Sequence, residues 1–289
     1  MAAKLIKGEP IAERIKDQVR ADVEALGRAP KLVGVLASDN PGAKYYAGSQ
    51  EKACAEVGID YELHELAADS SQADLEAHIA EINADGSVTG VILLMPVPDG
   101  VDARQVQQAI LPDKDVEGVH PANIGKLFYG DFSLAPCTPH AVVAMLQDAG
   151  VDLKGKETVV IGHSEIVGKP TLVMLLQSIM ESPTVTCCHI ATRDLASHVG
   201  RAEVLIVAAG KAGLVKGAMV KEGAVIIDVG INRVRVEVDG KKKTRIVGDV
   251  EFDAAREKAS LITPVPGGVG LVTTAMLLAN TVECARRQA

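Results

Sequence analysis

The sequence has no excess of positive charge, no CxxC spacing, no uninterrupted apolar segment of about 18 residues and no GxGxxG. With 30 Lys and Arg against 38 Asp and Glu the formal charge is −8. There is thus no overall electrostatic case for nucleic acid or an anionic membrane surface, and any phosphate site must be local. The five cysteines, Cys54, Cys137, Cys187, Cys188 and Cys284, are an odd number that suits reduced thiols in a cytoplasm better than a disulfide framework. Cys187 and Cys188 read as core or near-core thiols of a strand. The first ten residues, with Lys4, Lys7 and Glu9, lack the apolar stretch of a signal peptide. A soluble cytoplasmic protein is expected. The seven histidines show no metal-ligand spacing, and no metal is expected.

What the chain does have is 289 residues, 47% of them hydrophobic, enough for two domains with ordinary cores. Its organising stretch is Glu157-Thr-Val-Val-Ile-Gly-His-Ser-Glu-Ile-Val-Gly-Lys-Pro170. The β-branched run reads as a buried strand, Gly162 as a sharp turn, Gly168 as the close approach of the next helix, and Pro170 as a first-turn residue. Such a turn offers backbone N–H groups to a phosphate. Apolar runs follow at 184–189, 203–209 and 223–229, the pattern of a parallel doubly wound sheet buried on both faces.

The first half repeats the theme on a smaller scale. Apolar residues at Ile11, Ile15, Val19, Val23 and Leu26 predict a helix ending at Gly27. Strands are expected over 31–37, 61–66 and 88–95, and helices over 43–57 and 72–84. A turn-rich connection over 98–121 holds one short helix, 103–110, and Pro136-Cys-Thr-Pro139 announces a helix over 140–149. Residues 234–247 read as a solvated β-hairpin turning at Asp239-Gly240. The loop Thr263-Pro-Val-Pro-Gly-Gly-Val-Gly270 suits backbone lying against a planar ligand, and a helix over 273–286 closes the chain.

Several short motifs, in order over nearly the whole length, resemble the bifunctional methylenetetrahydrofolate dehydrogenase/cyclohydrolase family. They are Tyr46 with Lys52-Ala-Cys-Ala-Glu-Val-Gly58, Pro112-Asp-Lys-Asp-Val-Glu-Gly118, Pro136-Cys-Thr-Pro139, Gly162-x-Ser164-x-x-Val167-Gly168-x-Pro170, Asp228-Val-Gly-Ile-Asn232, Val247-Gly-Asp249 and Thr263 to Gly270. The resemblance implies two α/β domains with a cleft between them: a folate-binding catalytic domain of residues 1–138 and 271–289, and a Rossmann-type dinucleotide-binding domain of 139–270. It implies a folate in the cleft, packed on Tyr46 and bordered by Leu94, Glu117, Pro266, Gly267 and Gly268. It places NAD or NADP on Gly162, His163, Ser164, Val167, Gly168, Ile190, Arg193 and Ile231, and it implies a homodimer.

Departures from the family pattern bear on activity. The family lysine four residues after the tyrosine is Gln50, the family glutamine before Pro96 is Leu94, and the family aspartate is Glu117. A glutamine neither titrates near neutrality nor carries charge. The expectation is a dehydrogenase acting through Tyr46, Gln50 and Glu117 with weak or absent cyclohydrolase activity, so that hydrolysis depends on a separate cyclohydrolase. A fully bifunctional enzyme, a non-catalytic folate or nucleotide binder and an oxidoreductase of another pterin carrier are the alternatives. Ile190 and Ala191 stand where an acid would favour NAD or an arginine NADP, and the only nearby cations for a 2′-phosphate are His163 and Arg193. The balance leans slightly to NAD. Leu271 stands in place of the usual proline, with no role assigned.

Overall fold

The computed structural model describes residues 2–238 and 241–289. The chain divides into two compact units, Met1–Ala12 with Thr138–Thr273, and Glu13–Cys137 with Thr274–Ala289.

The first unit is built on a six-stranded sheet in the order Lys4–Leu5, Leu261–Ile262, Val225–Asp228, Val204–Val207, Glu157–Ile161, Thr184–Cys188. Every neighbouring pair in it is parallel. From Glu157–Ile161 the chain runs out to Thr184–Cys188 and then returns to the other side as Val204–Val207, so the order reverses at the carboxyl ends of these central strands. A doubly wound sheet opens its ligand crevice at such a point. Val159, Val160, Leu205, Ile206, Ile226 and Ile227 are all buried, as strands covered on both faces require.

Two expectations are corrected here. Thr184–Cys188 is an edge strand; Cys188 is buried in the core but Cys187 on the opposite face is exposed, so only one of the pair is a core thiol. The first twelve residues belong with the dinucleotide-type unit rather than with the other domain. Lys4–Leu5 extends the sheet beside Leu261–Ile262, and the Ala3 and Ile6 N–H groups donate to Arg256 and Ile262 carbonyls at 2.7 and 2.9 Å. The sequence hid this because both strands are only two residues long. The hairpin forms as Asn232–Val238 against Lys241–Val247, antiparallel; its expected turn lies outside the described residues.

The second unit holds a three-stranded parallel sheet, Asp60–Glu65, Lys31–Leu36, Gly90–Leu94. Val33, Val35, Val91 and Leu93 pack with Leu75, Ile79 and Ile82 of the helix Gln72–Ala84. That helix starts with a capping box between Ser71 and Asp74. The helix Pro41–Ala55 starts at Asn40, whose side chain accepts from the Gly42 and Ala43 N–H groups. A helix at Pro121–Leu127, not foreseen in the sequence, is capped by the His120 ring. Among the described residues no helix is long and apolar enough to cross a membrane.

Near the chain end, Asn280 is 3% exposed and its Nδ2 donates to the Val116 and Ala135 carbonyls, both at 2.9 Å. Asn280→Leu would keep the volume and strand both acceptors. The expected cost is about 2 kcal/mol of stability, read as a lower urea midpoint at unchanged m-value.

Candidate active site

At the reversal point of the first unit, Gly162 follows the strand Glu157–Ile161 with φ +121°, and Gly168 opens the helix Gly168–Leu175. A Cβ on Gly168 would collide with the Gly162 carbonyl, and one on Gly162 with the Ala208 carbonyl at the end of the neighbouring strand. The turn is therefore closed too tightly for a side chain at either glycine, which is the form a phosphate cradle takes. Ser164 fixes its far side. Its Oγ accepts from the Val167 and Gly168 N–H groups at 3.2 and 3.5 Å, so part of the helix start is capped by the chain itself. His163 and Arg193 are exposed, and His163 lies against His189 with ring centroids 4.8 Å apart. Ile190 is fully exposed just past the edge strand.

Beside the turn, two buried carboxylates fix the loops that follow the strands. Asp228 accepts from the Gly230 and Asp249 N–H groups through Oδ1 at 3.0 and 2.9 Å, and from Val250 through Oδ2 at 2.9 Å. Asp249 accepts from Ala209 and Gly210 through Oδ2 at 2.7 and 2.8 Å, and from Asn232 Nδ2 through Oδ1 at 2.8 Å. Burial pushes the Asp228 carboxyl up to about 6, against the pull of its three N–H donors. These residues lay in motifs quoted from the sequence, but nothing there showed that the two acids act on backbone. Ile231 then joins Pro266, Gly267, Gly268 and Leu271 around a cavity of about 150 Å³. The structure thus brings together the loop residues of the expected site and adds Leu271 to their lining.

In the second unit, Tyr46 and Gln50 share the helix Pro41–Ala55. Tyr46 remains 41% exposed, whereas Gln50 is 1% exposed. Gln50 Oε1 accepts from the Tyr61 hydroxyl at 3.3 Å, while its buried Nε2 has no hydrogen-bond partner among the described residues. Burial pushes the Tyr46 hydroxyl up to about 12, with Gln50 acting in the opposite direction and Glu117 adding to the rise. Tyr61, on the next strand, was not foreseen, since no spacing links it to position 50.

The loop that carries Glu117 is fixed at Lys114 and Asp115. Lys114, 5% exposed, ties its Nζ to the Ile82, Asn83 and Asp85 carbonyls at 3.0, 3.1 and 2.7 Å, closing the end of the helix Gln72–Ala84. Asp115 accepts from the His120 N–H at 2.8 Å and from Asn123 Nδ2 at 3.0 Å. Burial, then the nearby Asp115, push the Glu117 carboxyl up to about 8. Leu94 ends the strand Gly90–Leu94 and is buried at 1% exposure.

A glycine turn at the switch point of a doubly wound sheet has the form of a dinucleotide site, and the other unit carries a tyrosine, a buried amide and a raised carboxyl. Two family profiles cover most of the chain: tetrahydrofolate dehydrogenase/cyclohydrolase, catalytic domain, over residues 6–117, and the NAD(P)-binding domain of the same name over 136–289. The chain belongs to the tetrahydrofolate dehydrogenase/cyclohydrolase family. It is 49% identical to the bifunctional protein FolD of Geotalea uraniireducens over 99% of its own length and 100% of that protein's. It is similar to the methylenetetrahydrofolate dehydrogenase-cyclohydrolase (FolD) of Trypanosoma brucei, solved with NADP and an inhibitor, at 35% identity and TM-score 0.92, covering 99% of this chain and 98% of that one. It is also similar to the NAD-dependent 5,10-methylenetetrahydrofolate dehydrogenase of Saccharomyces cerevisiae, at 25% identity and TM-score 0.80 over 99% and 98%.

Gly168→Val is expected to weaken dinucleotide binding by at least about tenfold, or about 1.4 kcal/mol, because the side chain must displace the Gly162 carbonyl. Folate binding should be little changed. Fluorescence titration with each ligand checks it; equal loss of both affinities would show general unfolding instead.

Proposed function

We propose that this chain is an NAD(P)-dependent methylenetetrahydrofolate dehydrogenase that forms methenyltetrahydrofolate and hydrolyses it weakly or not at all. Family membership and the tight turn at Gly162 and Gly168 support the dehydrogenase half. Gln50 is the observation that carries the second half.

The dinucleotide, when bound, supplies the acceptor for the hydride that leaves the methylene carbon. Loss of that hydride turns the N–CH2–N bridge into a methenyl cation and releases no proton, so this step asks the chain for placement rather than for a strong acid or base. Tyr46 offers its exposed ring as a surface for the pterin. Glu117, once ionised, offers two acceptor oxygens to the amino-amidine edge. The unpartnered Gln50 Nε2–H is a donor for a bound oxygen, but it carries no charge and cannot take a proton from water at neutral pH. Pro266, Gly267, Gly268 and Ile231 form a side-chain-poor wall that admits a flat ring.

The cofactor reading leans to NAD. Its support is Ile190 and Ala191 at the position where a 2′-phosphate would look for a fixed cation, and the NAD-dependence of the yeast relative; the trypanosomal relative carries NADP. A homodimer is proposed with it on the strength of the family resemblance. The second reading, a fully bifunctional enzyme, has the stronger support from the relatives, since the Geotalea protein at 49% identity is named bifunctional. Assay of reduced-dinucleotide formation from methylenetetrahydrofolate, with NAD and with NADP, tests the dehydrogenase and its cofactor together.

The two readings separate on the decay of methenyl absorbance. The wild type should not exceed the uncatalysed rate; Gln50→Lys alone should add little, and Gln50→Lys with Leu94→Gln should restore measurable hydrolysis. Fast decay with the wild-type protein establishes the bifunctional reading. Glu117 gives a second expectation. With its carboxyl pushed up to about 8 in the free protein, the ionised form is a minority at pH 7, so kcat/KM for the folate should rise with pH and level off above about 8. Glu117→Gln should lower kcat/KM and flatten that limb. The stability linkage has the opposite sense: a carboxyl raised on folding stabilises at low pH, and its contribution is lost as pH rises through about 8.

A further inference from the structure

The edge strand of the second unit carries a side-chain cluster that hydride transfer does not use. Glu62 and His64 stand two apart on Asp60–Glu65 and so share a face; His78 and Glu81 stand three apart on the helix Gln72–Ala84. His64 Nδ1 and His78 Nε2 face each other at 2.9 Å, with ring centroids 5.0 Å apart at an interplanar angle of 57°. The far nitrogen of each ring meets a carboxylate: His64 Nε2 is 3.0 Å from Glu62 Oε1, and His78 Nδ1 is 3.6 Å from Glu81 Oε2. Lys31 Nζ lies 2.9 Å from the other Glu62 oxygen. Both imidazoles are one-quarter exposed, within reach of an ion from solvent.

A neutral imidazole has one N–H, and the hydrogen bond made by one nitrogen decides which of the two carries it. Glu62 can only accept, so it draws the His64 hydrogen to Nε2 and leaves a lone pair on Nδ1. Glu81, 3.6 Å from His78 Nδ1, is too far for a hydrogen bond, so His78 Nε2 is free to donate to that lone pair or to present its own. A metal ion takes the place of the shared hydrogen and binds a lone pair from each ring. Two imidazole nitrogens bound at about 2.0–2.1 Å in a tetrahedral arrangement lie about 3.3 Å apart, so the pair need open by only a few tenths of an ångström. Ligand histidines backed by carboxylates are also how metal sites fix ring orientation.

We propose that His64 and His78 form a two-imidazole chelate for a divalent transition-metal ion such as zinc, nickel or copper, with Glu62 as the outer acceptor and water completing the coordination. Imidazole selects these ions over magnesium and calcium, which seek oxygen. Among the described residues no group of three or more side chains forms a metal cage, so the site is an open surface chelate that ties an edge strand to the neighbouring helix. Fourteen residues separate the two histidines, which is why a search for ligand spacing passes over them.

The test uses the full chain without a histidine tag, stripped of metal with a chelator, in a His163→Gln background that removes the other close histidine pair. Calorimetric titration with Ni2+ should show one saturable site per chain. His64→Gln and His78→Gln should each abolish it, and Glu62→Gln should weaken it by about tenfold or more. A Cu2+ complex of the His163→Gln protein should show two bound nitrogens by electron paramagnetic resonance, a readout that does not depend on the folding of the His64 or His78 variants. Absence of saturable binding, its survival in both His64 and His78 variants, or a copper spectrum without two nitrogens would overturn the proposal and leave a hydrogen bond as the whole of the contact between the two rings.

Discussion

The arrangement at the carboxyl ends of the first unit's strands depends on two buried carboxylates spending their charge on backbone N–H groups. Asp228 and Asp249 collect five such donors and the Asn232 amide, and they join the loop after Val204–Val207 to the loop after Val225–Asp228 and to the chain leaving the hairpin. Neither acid has a Lys or Arg among these partners. The loops are thereby fixed by directional bonds in a poorly hydrated place, where each bond is stronger than in water but each missing one would cost more. The rise of the Asp228 carboxyl to about 6 measures that tension: burial disfavours the charge that the donors favour.

The second unit meets the same problem less completely. Gln50 is as buried as Asp249, yet one of its polar ends has no partner. A lysine at that position would bring a charge into the same surroundings and would need acceptors to justify it; the Tyr61 hydroxyl that now donates to Gln50 is one, and buried Leu94 offers none.

Much of the architecture was legible because it rests on period and punctuation. Apolar runs marked the central strands, Gly27 closed its helix as expected, and the turn at Gly162 and Gly168 was visible from residue types alone. The misses share a cause, which is that they depend on what lies beside a residue rather than before or after it. Cys187 is exposed because it stands on the face of its edge strand opposite to the buried Cys188. Lys4–Leu5 is too short to show a pattern until its distant partner is known. Tyr61, and the mutual approach of His64 and His78, arise from pairings across the fold that spacing along the chain does not encode.

Neither compact unit is continuous in sequence, and this bears on how the protein emerges during synthesis. Lys4–Leu5 must wait for Leu261–Ile262 before it can join the sheet, and at ribosomal rates of about 5–20 residues per second that interval is on the order of ten seconds or longer. The second unit waits longer still for Asn280, which grips the carbonyls of Val116 and Ala135. The nascent chain thus carries an unpaired strand at its head and an unclosed core in its middle until the final helix leaves the tunnel. A chain cut off near residue 260 would lack both the partner of Lys4–Leu5 and the Asn280 amide that ties the second core together.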